Sequence, residues 1–272
     1  MSKSTNTSVA DRSDTKAYTQ KKQFFNQVIT LYGRKPVLEI LNDQSLDIYR
    51  LHLADSNKPQ GIISEILSIA EQRKIEVLYH DRKALSRLSK NSKQDQGVCI
   101  DILCPKHTNY EDFLQARSTT ESTKKAIRLI ALDRITNPQN LGMIIRSVCA
   151  GNIDGLLIPE KGCANIDSLV VKASAGTLFK APLLHCKNLT VALTQCQQQG
   201  ATVYGLSSHA AHSISDKTSD DFIIYVLGNE TDGMSNEITA LCDKNIFIPM
   251  NNQVESLNVA ITASLLAFKD ML

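Results

Sequence analysis

The stretch FIIYVLGNETDGM, Phe222 to Met234, sets six consecutive apolar residues directly against a polar, glycine-containing loop. A strand with one wet face would alternate, so an unbroken apolar run implies burial on both faces, as in a parallel sheet covered by helices. The same pattern recurs through the second half of the chain. AIRLIALD (126–133), GLLIP (155–159), TVYGLS (202–207) and NIFIPM (245–250) are short apolar runs separated by amphipathic stretches of helical length. The pattern predicts an α/β domain on a parallel sheet, with any ligand lying beyond the carboxyl ends of the strands.

Three of those ends carry unusual polar residues. The first runs into DRITNPQNLGMIIRSV, with Asn140, Gly142 and Arg146; the second into Gly228, Asn229, Glu230 and Gly233; the third into PMNNQVESLNV, with Ser256 and Asn258. Taken singly, each has a structural account: Asn140 as a helix cap, the glycines as turns, Arg146 as a surface charge. Repetition at one edge of one inferred sheet favours a site. GxxxxGK[ST] is missing, and no GxGxxG follows the first strand of this domain, so familiar phosphate loops are excluded. A ligand held by backbone groups fits better, because Gly228 permits close approach and strand ends leave peptide groups unpaired.

The first half is organised differently. Residues 1–26 carry almost no large apolar side chains before Phe24 and are expected to form a disordered tail. From YGRKPVLEILN onward a compact pattern begins, with Pro36 in the first turn of a helix that turns Val37, Leu38, Ile40 and Leu41 inward. IYRLHLA, IEVLYH and GVCIDIL read as strands and GIISEILSIAEQR as a helix, giving a domain over 27–104. CPKHTNYEDFLQARSTTESTKK breaks the pattern and is expected to be a linker, 105–125, with one helical turn near Phe113 and Leu114; the second domain spans 126–272.

Charge also divides the chain. Through Arg128 there are 21 Lys+Arg against 15 Asp+Glu, and thereafter 9 against 13. The basic excess includes DRKALSRLSKNSK, with Arg82, Lys83, Arg87, Lys90 and Lys93. A solvated helix face explains such a run; a polyanionic partner is the sharper reading, because each neutralised phosphate releases counterions. A length of 272 residues allows one large or two modest domains, and 42% hydrophobic with 21% charged residues is ordinary for a soluble protein. No apolar run approaches the roughly 18 residues of a membrane span, and the polar start is no signal peptide. Seven cysteines without a CxxC pair suit a reducing cytoplasm better than disulfides or zinc, and His209 with His212 is a weak basis for a metal site. A cytoplasmic protein without a metal is expected.

NPQNLGMIIRSV, VLGNETDGM and IPMNNQVESLNVA resemble, in order and spacing, the three motifs of the SpoU (TrmH-like) family of RNA ribose 2′-O-methyltransferases, in the knotted SPOUT class. VVKASAGTLFKAPL also resembles a family segment, and YGRKPVLEIL…DQGVCIDI resembles the small ribosomal-protein-like substrate-binding domain that precedes many members. Ala260, Thr177 and Asp95 depart from common family residues (Ser, Ala and His). The fold that this resemblance implies is a parallel-sheet SPOUT fold with a C-terminal trefoil knot. The implied cofactor is S-adenosylmethionine, held around Gly228, Ile248 and Leu257 with Asn229 and Met250 beside them, while Asn140, Arg146, Glu230, Ser256 and Asn258 line the reaction site. Arg146 is the expected activator, as a cation stabilising the developing alkoxide and gripping a phosphate, since guanidinium stays protonated. Glu230 is expected to orient Arg146 or accept from the cofactor. Arg34, Lys35, Arg82, Lys83 and Arg87 are expected to bind a structured RNA, ribosomal in preference to transfer RNA by analogy of layout. A chain beginning near Lys124 is accordingly expected to keep the cofactor and lose RNA affinity. The rival readings are transfer-RNA methylation, base methylation and an RNA-binding protein without activity.

The chain's last helix is apolar on most sides. Leu257, Ile261, Leu265, Phe268 and Leu272 form one stripe, expected to pack on the sheet. Ala260, Ala263, Ser264 and Ala267 form a small-residue flank, and Thr262 looks suited to water. The flank packs either on a helix of the same subunit or on a second copy. Family resemblance tips the expectation to a homodimer through the flank and the helix after Asn140.

Overall fold

The computed structural model describes residues 24–119, 126–207, 210–216 and 220–271. Most of the expected tail, along with His209, Lys124 and Leu272, lies outside them. The N-terminal region contains β1 (Val28–Tyr32), α1 (Arg34–Asn42), β2 (Ile48–Ala54), α2 (Ile62–Gln72), β3 (Glu76–His80), α3 (Arg82–Ser89) and β4 (Val98–Leu103). Its four strands order as β1-β4-β2-β3, with β2 and β3 parallel and the other pairs antiparallel. Val37, Ile40 and Leu41 of α1 are buried, as their spacing predicts, and Leu38 packs at the edge of that core. Strand β1 lies outside the sequence reading: its VITLY sits beside the polar tail, and only pairing with β4 identifies it.

The second region continues with β5 (Thr108–Asn109), α4 (Tyr110–Thr119), β6 (Ile127–Leu132), α5 (Pro138–Ala150), β7 (Gly155–Pro159), α6 (Ser168–Ala173) and β8 (Leu183–Cys186). It ends with α7 (Leu189–Gln198), β9 (Thr202–Leu206), β10 (His212–Ser213), β11 (Phe222–Leu227), α8 (Asn236–Leu241), β12 (Lys244–Phe247) and α9 (Val259–Phe268). The eight strands order as β10-β12-β9-β11-β6-β7-β8-β5, and every pairing is parallel. Alternate residues of the central strands feed two cores. Ile130, Leu132, Ile223 and Tyr225 meet α5, α6 and α9, while Leu129, Ala131, Ile224 and Val226 meet α4, α7 and α8. That double burial is what the unbroken apolar runs required.

The expected linker is largely structural. Thr108 and Asn109 pair with β8, and the ten-residue α4 buries Tyr110 and Leu114 in the second core. The Tyr110 hydroxyl donates to Gln195 Oε1 at 2.9 Å, and the Arg117 guanidinium lies 4.4 Å from the centre of the Phe222 ring. A chain cut near Lys124 would therefore lose part of the core of its remaining sheet, so such a cut does not isolate the cofactor site.

The order of strands also locates a crevice. From β6 the chain moves to β7 on one side; from β11 it moves past β9 to β12 on the other. Neighbouring strands whose connections diverge leave a gap beyond their carboxyl ends, and ligands of open parallel sheets bind there. The first turn of α5, which follows β6, holds Asn140, and the loop after β11 holds Glu230.

Candidate active site

Asn137, Pro138 and Asn140 explain how the first loop turns into α5. The Asn137 side chain accepts from Gln139 N at 2.9 Å and Asn140 N at 3.4 Å, with Pro138 in the first turn, where its missing N–H costs nothing. Asn137 is thus the cap, and Asn140 is free for other work inside the first turn. Its neighbour Gly142 serves packing: a Cβ there would stand 2.5 Å from the Ala173 Cβ and 2.7 Å from Val170 O.

Asn140 is 8% exposed and joins the three polar loops. The Ala260 N–H donates to Asn258 Oδ1 at 2.8 Å, capping α9. Asn258 Nδ2 donates to Asn140 Oδ1 at 3.1 Å, and Asn140 Nδ2 donates to the Glu230 carboxylate. The backbone donor at Ala260 fixes which end of Asn258 is oxygen, and that choice fixes Asn140 in turn. Every donor in the chain points toward Glu230. Hydrogen bonds aligned in this way polarise one another, and the carboxylate is the acceptor at the end.

The loop after β11 is closed on itself. Asn229 and Gly233 exchange backbone hydrogen bonds at 3.0 and 2.9 Å, and the Asn229 side chain accepts from Thr231 N at 2.8 Å while donating to Arg134 O at 3.0 Å. A Cβ on Gly228 would collide with the backbone of Gly233 and Met234, so glycine is required there by the loop's own closure. Asp133 and Arg134, which the sequence reading overlooked, clamp this loop from β6. Buried Asp133 accepts from Ser235 N at 2.6 Å, and Arg134, in the left-handed region at φ 60°, donates from Nη2 to Gly233 O at 3.0 Å. Nothing in the residue types alone marks them.

The third loop, 248–258, has no regular structure. Ile248, Met250 and Leu257 are half-buried, and Ser256 is exposed. Asn252 and Gln253 take left-handed φ values of 56° and 60°.

Arg146 is not brought to this group. It is exposed on α5 and, among the described residues, has no hydrogen-bond or ion-pair partner; Glu230 bonds Asn140 instead. Six residues of helix separate Asn140 from Arg146 by about 120° of rotation and ~9 Å of rise, so the two point in different directions. Arg146 shares its face with Met143, 45% exposed, and beside it α9 presents Ile261 at 47% and Leu265 at 42%. The Ser147 and Ser264 hydroxyls join the two helices at 2.7 Å. Of the stripe expected to pack on the sheet, Ile261 and Leu265 form the open face of α9, while Leu257 and Phe268 are half-buried and Phe268 packs on the first core. Ala260, Ala263 and Ala267, expected at an interface between copies, are buried, and so is Thr262.

The expected RNA ligands divide too. Arg34, Lys35 and Arg82 border one cavity of about 990 Å³ together with Lys93, whereas Lys83 and Arg87 lie exposed outside it. All seven cysteines are free; burial pushes Cys99, Cys104, Cys186 and Cys196 up to about 12. His212 is exposed at the sheet's edge. Among the described residues no helix is long and apolar enough to cross a membrane.

Comparison with known proteins identifies the family and the fold. Residues 128–268 match the SpoU rRNA Methylase family and residues 30–104 match the domain described as RNA 2′-O ribose methyltransferase substrate binding. An uncharacterized tRNA/rRNA methyltransferase of Mycobacterium ulcerans is 32% identical over 234 residues, covering 86% of this chain and 74% of that protein. A Mycobacterium leprae counterpart is 33% identical over 232 residues, covering 85% and 73%. Among solved structures, the SpoU methyltransferase AviRb from Streptomyces viridochromogenes with AdoMet superposes with a TM-score of 0.57 at 20% identity, covering 89% of each chain. An AdoMet-bound rRNA methyltransferase from Sinorhizobium meliloti gives 0.58 at 21%, covering 95% and 92%.

The fold and the convergent loops define an α/β methyltransferase with an N-terminal substrate-binding domain. The chain belongs to the SpoU family of RNA methyltransferases, whose cofactor is S-adenosylmethionine.

Proposed function

We propose that this protein methylates a ribose 2′-hydroxyl of ribosomal RNA. The observation that carries the reading is the hydrogen-bond chain from Ala260 through Asn258 and Asn140 to Glu230. It joins the three loops around one carboxylate, at the switch point where a parallel sheet holds its ligands.

The residues present fit S-adenosylmethionine. Loop 248–258 offers peptide groups outside regular structure, and Ile248, Met250 and Leu257 offer half-buried apolar surface for a purine ring; Gly228 and Asn229 would add backbone groups from the loop after β11. Bound there, the cofactor supplies an electrophilic methyl group on a sulfonium that leaves as a neutral thioether. Charge is cancelled as the hydroxyl attacks, so preorganised dipoles in a dry crevice suffice. Glu230, at the acceptor end of the chain, takes the hydroxyl proton or a hydrogen bond from the cofactor; Ser256 and Asn258 orient the ribose. Arg146 stabilises the developing alkoxide and grips the adjacent phosphate.

Arg146 reaches that position in a homodimer. Its face of α5, with Met143, and the open edge of α9, with Ile261 and Leu265, form an apolar surface suited to a two-fold contact, which carries Arg146 toward the partner's crevice. The knotted tail that the family resemblance implies would be consistent with the tight seat of α9, where Asn152 N donates to Ala267 O at 2.8 Å. Mass analysis of nucleosides after reaction with ribosomal and transfer RNA tests the reading. A ribose-methylated nucleoside from ribosomal RNA is expected; a methylated base, or product from transfer RNA alone, would overturn the assignment.

A further inference from the structure

The cavity in the N-terminal region is bounded by the turn between β1 and α1, the turn after β2, the start of α3 and the loop before β4. Arg34, Lys35, Arg82 and Lys93 line it, and none of its lining residues is a carboxylate. Four cations around one concavity whose lining carries no carboxylate repel one another, an arrangement that a bound polyanion relieves.

The walls are built to keep their shape. Arg34 donates its backbone N–H to Gln96 Oε1 and Nη2 to Asn57 Oδ1, both at 3.0 Å, and Asn57 Nδ2 donates to Gly97 O at 2.7 Å. Gln96 and Gly97 hold left-handed φ values of 51° and 75°, which turns their loop into the rim. The Tyr32 hydroxyl accepts from Asn91 Nδ2 at 2.9 Å, which fixes its ring, and Pro36 and Ile62 extend the apolar side. The site thus offers fixed amides, an apolar wall with an aromatic ring, and cations, in a volume at the upper end of ordinary ligand pockets.

We infer that this cavity receives an unpaired nucleotide of the substrate RNA, with its phosphates held by Lys35, Arg82 and Lys93 and its base against Tyr32. Duplex RNA keeps its bases stacked and is read across shallow grooves, so it cannot insert into a concavity. Splayed single-stranded bases stack on aromatic and guanidinium planes and expose edges that amides recognise. The position of the cavity supplies the connection to chemistry. Ser168 of α6 closes one side, and α6 packs on α5 through Gly142, two residues from Asn140. An RNA anchored there lies one helix from the crevice. The inference rests on the RNA-methylating reading above and adds to it what the N-terminal region selects.

The test uses the full chain and fluorescence anisotropy with a short fluorescein-labelled single-stranded RNA of random sequence, and a blunt RNA duplex as competitor. The double variant Lys35→Glu/Lys93→Glu should weaken single-strand binding by about tenfold or more, and the duplex should compete poorly against the unaltered protein. Lys74→Glu/Lys187→Glu, the same charge change at exposed positions outside the cavity, should weaken binding far less. Equal losses in the two double variants, or a duplex that competes as well as the single strand, would overturn the inference. The methylation reading is judged separately by the nucleoside analysis: ribose product with an indifferent cavity sinks only this inference, and absent product sinks the reading whatever the cavity binds.

Discussion

Helices α2 and α9 are nearly equal in length and both rich in apolar residues, yet small side chains make up much more of what α9 buries. In α2, the large residues Ile63 and Ile66 are buried with Ala70, and Ser64, Glu65, Ser68 and Glu71 face water. In α9 the small Ala260, Ala263 and Ala267 are buried together with Val259 and Leu266, and the large Ile261 and Leu265 are open. The difference lies in what each helix packs against. Polar residues on α2 leave one apolar stripe, so only one orientation buries it. On α9 almost every side is apolar, and shape decides. Ala260, Ala263 and Ala267 let the backbones of α9 and α5 come close: a Cβ on Gly151 would stand 2.5 Å from Ala267 O. Periodicity reads which side is apolar. It does not read which of several apolar sides fits a neighbour that has no bulk.

The sharpest way to break that comparison is to exchange the faces. Ala263→Arg places a long cation in the α5–α9 contact, where it meets packed backbone and no counter-charge, and should cost more than about 4 kcal/mol. Leu265→Arg, two residues along on the open face, should leave the stability of the monomer nearly unchanged and, if the proposed homodimer forms, give a monomer in light scattering. A folded, monomeric Ala263→Arg protein would reinstate the small-residue flank as the interface. The same contrast holds in milder form: Ile66→Ala should cost about 2–5 kcal/mol and Ile261→Ala less than about 1 kcal/mol in the same denaturation experiment, provided the measurement is made on monomer.

Arg146 applies the comparison to the site. The motif around it was legible, since its spacing from Asn140, Glu230 and Asn258 belongs to the sequence. The hydrogen-bond chain was not, because it depends on Asn137 taking the cap and releasing Asn140. Nor was the separation of Arg146 from Glu230, which follows from helix phase once the strand end and cap are known. Strand β8 was missed for a related reason: LLHC is four residues long with a histidine inside, and its neighbours β7 and β5 identify it. Arg146→Ala should reduce methyl transfer by about a hundredfold or more, equivalent to roughly 3 kcal/mol of transition-state stabilisation, with cofactor affinity within twofold. Lysine should rescue poorly, because it lacks the planar fork. Mixing Arg146→Ala protein with a crevice-defective Asn140→Ala protein separates two arrangements: recovered activity in the mixed dimer requires Arg146 to act across the interface, and no recovery returns it to its own subunit.

The smallest effect is expected where the two regions meet. His107 follows β4 and is fully buried against the second region, with Nε2 donating to Leu178 O at 2.9 Å. Its Nδ1 is buried without a partner among the described residues. Protonation there would place a charge in a site with no acceptor, so burial lowers the pKa to about 4, and His185, 6.0 Å away between ring centres, is lowered by burial as well. An unfolded histidine titrates near 6.5, so the unfolded chain binds protons that the folded one refuses between pH 6.5 and 4. The His107 contribution should therefore be level above that window, fall as the pH drops through it, and flatten again below about 4. Between pH 7.5 and 5.5 the His107 share is about 1 kcal/mol. His107→Gln keeps an N–H for Leu178 and cannot titrate, so the difference between wild type and variant isolates this residue from other acid-sensitive groups. Denaturant midpoints at the two pH values should converge for the variant by that amount. Parallel shifts in both proteins would mean that His107 is solvated in solution, and that the seam between the N-terminal region and the sheet is looser than its packing indicates.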